Sequence, residues 1–313
     1  IIQGEVMSVQ AIRVTPLHVV QALRLQFLPA SLIPYVLGSI LHGNRISWPL
    51  FFIGLVAVTA CHLGANLIND HADSRSGVDW SDTVSRGYFG GSKMIRQGIL
   101  SERFFFRAAL FCFALTGVSV AILAGMFRMI LIPLLGIVVL GTAWAYTAGP
   151  FRFSYNRLGE LTMVIMFGPV ILMGAALLQT GTFFSHRALM MSLPAGILLA
   201  TVLFINEIAD YSDDIRYGKR TLVSVTGPGK AYLMYAALVM SAYAAIMLDI
   251  FCWEYLSGMS LITVLLLPLA AGAGYLARKS YNDKEMMVMA SRNTVLLHAG
   301  VGIVMIVDAL LFS

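Results

Sequence analysis

Apolar stretches follow one another along almost the whole of this 313-residue chain, separated by short polar connectors. Each stretch is long enough, as a helix, to cross the ~30 Å hydrocarbon core of a bilayer. The pattern predicts membrane-spanning helices near 17–41, 49–69, 104–124, 128–148, 160–180, 188–209, 231–251, 257–277 and 294–312, nine in all. A helix satisfies its own backbone hydrogen bonds in hydrocarbon, which most other structures cannot do. The expected fold class is therefore all-α, a multi-pass membrane protein of about nine transmembrane helices. The segment 128–148 fits the pattern least well, because Pro133 and several glycines interrupt it.

Polar residues are spread unevenly between the spans. Two acidic segments each close a long apolar run: NLINDHADSRSGVD, from Asn66 to Asp79, and NEIADYSDDIRYGKRTL, from Asn206 to Leu222. In the first, Asn66, Asn69, Asp70 and Asp73 fall at i, i+3, i+4 and i+7, one face of a continued helix. In the second, Asn206, Asp210, Asp213 and Asp214 do the same at i, i+4, i+7 and i+8. A carboxylate within a span costs about 2.5–3.5 kcal/mol even on insertion scales, so such residues usually serve a function. Each segment ends the second helix of a four-helix block, and each is followed by a basic, glycine-containing stretch. One holds Gly77, Gly87, Gly90, Gly91 and Lys93, the other Gly218 and Lys219. This predicts one domain, 1–313, with a weak internal repeat, 15–150 and 158–280, whose equivalent loops face each other around a central cavity.

Composition and charge narrow the class further. A mean hydropathy of +0.81, with 58% hydrophobic and 12% charged residues, excludes an ordinary soluble domain. With nine spans the connections alternate sides, and of the 21 Lys and Arg only Arg45, Arg128 and Arg187 fall opposite the N-terminus. By the positive-inside rule both acidic segments are expected in the cytoplasm, at the inner membrane if the cell is bacterial. The net charge of +5 is thus a topological signal. No nucleic-acid footprint is expected, because the basic residues lack interleaved aromatic stacking positions. Cys61, Cys112 and Cys252 lie in apolar runs without ligand spacing and are expected to be small buried hydrophobes. The chain opens on Ile1, with Met7 the expected natural start, and its first apolar run is too long for a cleavable leader.

Four carboxylates converging in a low-dielectric site repel one another unless cations neutralise them. An oxygen-rich ligand set suits Mg²⁺, which keeps several waters and is commonly completed by phosphate oxygens. Asp70, Asp73, Asp210 and Asp214 are the candidate metal ligands, each pair accompanied by a helical asparagine, Asn66 or Asn206. A diphosphate bridging two Mg²⁺ sites would explain why there are two segments. Lys93, Arg96, Lys219 and Arg220 would neutralise the remaining phosphate charge.

These residues resemble a family. An NDxxD motif and a second DxxxD in a nine-span chain look like the UbiA superfamily of intramembrane prenyltransferases. The first segment is similar to the 1,4-dihydroxy-2-naphthoate polyprenyltransferase branch pattern NxxNDxxDxxxGxD at Asn66, Asn69, Asp70, Asp73, Gly77 and Asp79. The second resembles NxxxDxxxDxxxGKxTL at Asn206, Asp210, Asp214, Gly218, Lys219, Thr221 and Leu222, a register that favours Asp214 over Asp213. Tyr146 to Gly149 and Leu158 to Glu160 resemble the linking region, so the likeness covers about residues 15–230. The loop from Asp82 to Ser101 lacks the NRPxRPIPSG pattern of 4-hydroxybenzoate and chlorophyll-type members, and His71 replaces a frequent aromatic.

The resemblance implies Mg²⁺-dependent transfer of a polyprenyl chain from a prenyl diphosphate to an aromatic acceptor, in a cavity open to membrane lipid. The implied acceptor is 1,4-dihydroxy-2-naphthoate, as in menaquinone biosynthesis. Asn66, Asp70, Asp73, Asn206, Asp210 and Asp214 are the implied catalytic set, holding metal rather than attacking; Lys93, Arg96, Tyr146, Arg152 and Lys219 would contact the diphosphate or acceptor. Glu160 opens a span, where an acid suits the helix N-terminus in any case. His18, His42, His62, His186 and His298 show no ligand spacing; Asp249, Glu254 and Asp308 are expected to be solvated. A secondary transporter, or the same fold with 4-hydroxybenzoate, homogentisate, a glycerol phosphate ether or a protoporphyrin-type ring as acceptor, remains a rival reading.

Overall fold

The computed structural model describes residues 14–41, 43, 46–80 and 84–312; Met7, His42, Arg45, Asp82 and the side chain of Asp79 lie outside them. The described residues form helices and no strands. Helix α1 (Pro16–Leu23) runs on through a 3₁₀ turn to Phe27, with Arg24 left-handed at that join, and the two together meet α2 (Pro29–Ile40) at 52°, the break falling at Leu28. After them come α3 (Trp48–Ser76), α4 (Glu102–Phe127) and α5 (Leu131–Ala145). A π turn, Met166–Val170, joins α6 (Gly159–Ile165) to α7 (Ile171–Thr180). The chain continues through α8 (His186–Arg216), α9 (Val223–Thr226) and α10 (Pro228–Phe251). A 3₁₀ helix, Gly258–Leu266, then runs into α11 (Leu267–Lys279), and α12 (Lys284–Phe312) ends the chain.

The protein is an all-α integral membrane protein, but the described residues do not reach nine full spans. Seven helical stretches are long and apolar enough to cross a membrane, and the bent α1–α2 pair makes an eighth. The segment expected at 128–148 forms only the 15 residues of α5. At 1.5 Å per residue that is roughly 22 Å, short of the ~30 Å core. Its last turn unwinds at Tyr146 and Thr147, where the chain leaves to build the connection to α6.

α8 is the most enclosed helix. Phe204, Ile205 and Ile208 belong to the same buried cluster as Tyr235 and Ile246 of α10 and Leu297 and Val301 of α12. Lipid tails are as apolar as leucine, so helices in a bilayer associate through close packing rather than through escape from water. The crossing of α8 over the π turn shows it: a Cβ on Gly196 would sit 2.4 Å from the Val164 carbonyl oxygen and 3.1 Å from Gly168 Cα. Pro169, which has no N–H to donate, sits inside that turn. Phe111, Ile137, Met240 and Leu265 point outward.

Two expectations about isolated polar groups are corrected. Asp249 and Asp308 are buried, not solvated. Asp308 accepts hydrogen bonds from the Ser257 N–H (3.0 Å), the Ser257 hydroxyl (2.8 Å) and the Ser260 hydroxyl (2.8 Å), capping the 3₁₀ helix. Glu254 is exposed. Of the cysteines, Cys61 is buried, Cys112 is half-buried and Cys252 is exposed, because an apolar run has an outer face as well as an inner one.

Candidate active site

α3 and α8 both outlast their apolar stretches and deliver the two acidic segments to one end of the bundle. Gly77, with φ of 92°, ends α3 by donating its N–H to the Asp73 carbonyl, a left-handed cap that suits glycine. Beyond α8, the Lys219 N–H donates to the Asp214 carbonyl at 2.8 Å, which turns the lysine back toward the helix.

Between helices α2 to α8 lies a cavity of about 380 Å³. Its polar end is lined by Asn66, Asp73, Asn206, Asp210, Asp213 and Asp214, with Lys93, Lys219 and Tyr146. Its far end is apolar, bounded by Leu123, Ile132 and Leu178. Most of the predicted site residues are thus brought together. Three are not: Asp70, Arg96 and Arg152 lie off the cavity wall. Arg96 stacks on the Trp80 ring (4.5 Å) and Arg152, exposed, on the Tyr155 ring (5.5 Å). Asp70, buried, accepts from the Ser92 N–H at 3.0 Å and pairs with Arg24 at 3.4 Å. Arg220 is exposed; its backbone pairs with the strand-like stretch at Tyr155 to Arg157. His71 packs on Phe106, whereas His62 lines the cavity and hydrogen-bonds to Ser31.

The glycine-rich loop after the first segment straps the two acidic helices together. Gly90, at φ of 70°, gives its N–H to Asp210 at 3.0 Å, two residues before Ser92 bonds Asp70. The Tyr88 carbonyl accepts from Asn206 at 3.0 Å, and Phe89 is buried beneath. On the other side, Tyr155 donates its hydroxyl to Asp73 at 2.8 Å and meets Ser76 at 2.7 Å. Burial pushes the Tyr155 hydroxyl above its ordinary pKa, and the Asp73 charge adds to this, so it stays a donor.

Lys219 is the central cation. Its Nζ lies 3.3 Å from Asp214 Oδ1. Loss of water alone would lower its pKa, but Asp214, Asp73, Glu207 and Asp210 outweigh that and hold the ammonium well above its usual range. Asp213 pairs instead with Lys284 at 2.8 Å. That leaves Asp214 as the acid facing Lys219. Sequence reasoning missed Arg24, Tyr155 and Glu207. Arg24 carried a signal, a cation within the first apolar run; Tyr155 carried none.

No three His, Cys, Asp or Glu side chains among the described residues form a ready-made metal cluster. The donor chemistry nevertheless fits a hard cation. The acids lining the polar end are oxygen donors, and Asp214, at 1% residue exposure, meets Lys219 through Oδ1 and leaves Oδ2 without a hydrogen-bond partner. The buried Oδ1 of Asn206 has no partner either. Such an oxygen set suits Mg²⁺.

Comparison with known proteins bears on this arrangement. The model of the UbiA prenyltransferase family matches residues 31–296. UbiA prenyltransferase domain-containing protein 1 of Xenopus tropicalis is 30% identical over 80% of this chain and 71% of its own length. The 1,4-dihydroxy-2-naphthoate octaprenyltransferase of Bacillus subtilis is 27% identical over 71% of this chain and 70% of its own. Among solved structures, a UbiA homolog from Archaeoglobus fulgidus bound to GPP and Mg²⁺ superposes with a TM-score of 0.60 at 15% identity. It covers 93% of this chain and 99% of that one.

Proposed function

The chain belongs to the UbiA prenyltransferase family, and from that premise we propose that it transfers a polyprenyl chain from a prenyl diphosphate to 1,4-dihydroxy-2-naphthoate. The observation that carries the reading is the cavity itself, carboxylates and lysines at one end and a long apolar floor at the other. A secondary transporter would hold its acids near span centres; here they sit at helix ends beside basic loops.

Asp73, Asp210 and Asp214 would hold Mg²⁺, with Asp70 fixing the loop beside them. When bound, the metal supplies positive charge that offsets the charge gathering on the departing diphosphate. Lys219 and Lys93 add cations at the same end, preorganised for a charge that grows in the transition state. Asn66 and Asn206 flank the acids as polar contacts for the diphosphate. The apolar floor takes the isoprenoid and keeps water from the allylic cation. Tyr146, above that floor, meets the acceptor. We read residues 1–313 as one domain of two facing halves, 15–150 and 158–280, with the polar end on the cytoplasmic side. The motif pattern at Gly77 and at Gly218-Lys219, with the naphthoate octaprenyltransferases among the relatives, supports the acceptor assignment.

The test is direct. Purified protein, Mg²⁺ and radiolabelled prenyl diphosphate are incubated with naphthoate, 4-hydroxybenzoate and homogentisate in parallel. A prenylated naphthoquinol with loss of the carboxyl group is expected. Preference for another ring would overturn the acceptor and leave the prenyl transfer standing.

A further inference from the structure

Gly54 on α3, Gly136 on α5 and Gly174 on α7 all line the cavity, and the first two are filled by their neighbours. A Cβ on Gly54 would sit 2.4 Å from the Tyr35 hydroxyl oxygen and 2.6 Å from Leu178 Cδ1, and one on Gly136 would sit 2.6 Å from Val120 Cγ1. Those glycines let side chains of adjacent helices press on the backbone, their usual use in lipid. Gly174 differs. Among the described residues, a Cβ there would meet no heavy atom of a neighbouring element within 4 Å. Val170, Ile171, Leu177 and Leu178, three and four positions to either side of it, line the same cavity, so the bare face of Gly174 opens into the lumen.

Glycine is a poor helix former, since it loses the most chain freedom on folding and packs no side chain in return. Nothing approaches the backbone at Gly174, so close helix packing does not account for it. What it keeps is width inside an apolar lumen, and that lumen is continuous with the acids and lysines of the polar end. Its occupant therefore joins a long apolar tail to an anionic head that cations and lysines can hold. Depth says which part of the tail reaches Gly174. From Gly159, which faces the Tyr146 hydroxyl at the polar end, the helix runs through the π turn to Gly174 over roughly 22 Å at 1.5 Å per residue. On the opposite wall, α3 covers roughly 28 Å from Asp73 to Gly54 by the same rise, and there Gly54, Tyr35 and Leu178 close on one another. Gly174 thus stands one helical turn above the floor.

Resting on the reading of prenyl transfer, we propose that Gly174 determines how long a prenyl chain the protein accepts. It widens the lumen so that the far isoprene units of a geranylgeranyl or longer donor pass α7 toward the floor at Tyr35, Gly54 and Leu178. A geranyl chain, with two isoprene units, ends above Gly174 and is indifferent to what stands there. A larger side chain at this position narrows the lumen from one wall, and the donor that suffers is the one that must pass it. No bond forms or breaks at Gly174. It selects the donor by fit, far from the charged groups that hold the diphosphate.

The experiment uses the full chain in detergent with Mg²⁺, the aromatic acceptor that serves it best, and geranyl, geranylgeranyl and octaprenyl diphosphates in turn. Gly174→Ala and Gly174→Leu put better helix formers on α7, and the added Cβ meets no neighbour, so both should fold with a Tm no lower than wild type. Gly174→Leu should lower kcat/KM for the two longer donors by about 10–200-fold relative to geranyl diphosphate, the discrimination that small changes of apolar bulk in a pocket give. Gly174→Ala should move that ratio the same way by less. The acceptor's KM should stay put in both variants. An unchanged ratio in folded Gly174→Leu, an equal loss with every donor, or a rise confined to the acceptor's KM overturns the assignment while the proposed function stands. If the wild-type protein transfers none of the three donors to any aromatic acceptor, the function reading fails and this inference falls with it.

Discussion

Asp70 and Asp73 lie three residues apart on α3, yet they answer to different partners. Asp73 opens to the cavity and takes the Tyr155 hydroxyl, whereas Asp70 is occupied by the Ser92 N–H and Arg24. Substituting alanine at Asp73, Asp210 or Asp214 is therefore expected to cut turnover by about 10²–10³ each, since each removes preorganised charge at the diphosphate. Asp70→Ala should also lose turnover, through a loosened loop. Chelation should abolish activity, Glu254→Ala should change nothing, and circular dichroism should report folded protein throughout. Full activity in two of the four aspartate variants would remove these segments from the metal site. The four aspartates and two asparagines were legible because a helix keeps period 3.6 whatever it packs against. Glu207 precedes Asp210 by three residues and Asp214 by seven, which puts it on the same helix face, a spacing the sequence reading passed over. Arg24 and Tyr155 reach the aspartates from other elements, and no local spacing announces such a contact.

Helices that touch backbone to backbone position this site, because α8 carries half of it and is held against α6 and the π turn at Gly196 and Gly168. Gly196→Ala would drive a methyl group to within 2.4 Å of a carbonyl oxygen that cannot rotate away. Overpacking of this kind costs typically about 1–3 kcal/mol. We expect a clear fall in Tm in detergent, together with weaker acceptor turnover as α8 shifts. Gly125→Ala on α4, where a Cβ meets nothing within 4 Å, should leave Tm almost unchanged. An equal Tm for the two variants would mean that the α6–α8 crossing is not tight. Apolar runs foretold most elements, since a run of the right length has little choice but helix in lipid. They failed at 128–148, because hydropathy counts Tyr146 to Ala148 as span while their backbone is needed for the link to α6, where Ser154 bonds back to Tyr146. The π turn at Pro169 and the bend at Leu28 were invisible for a similar reason: the residues beside them, Phe167 to Ile171 and Phe27 to Pro29, are as apolar as any helix interior.

At the scale of the whole molecule, the two acidic segments end at the same face, and that face is also where most of the lysines and arginines lie. A loop of one half ties both: Gly90 bonds Asp210 and Ser92 bonds Asp70, so neither acidic helix can drift without pulling on the other. Under the proposed function a prenyl diphosphate would present its charged head to this mouth while its chain remains in hydrocarbon. The orientation is testable with single cysteines in a protein lacking Cys61, Cys112 and Cys252. Cysteines at Arg75 and Arg216, both exposed at the polar end, should react with an impermeant maleimide only from the cytoplasmic side. A cysteine at Thr182, exposed on the connection between α7 and α8, should react only from the opposite side. Labelling of Arg75 and Arg216 from different sides would be incompatible with one shared cavity mouth. Labelling of both from the outside would keep the cavity and invert the charge argument. That argument counts cations in loops, so it depends on the parity of the spans before them. α5 leaves that parity intact only if its 15 residues, together with the turns at its ends, still carry the chain from one face to the other.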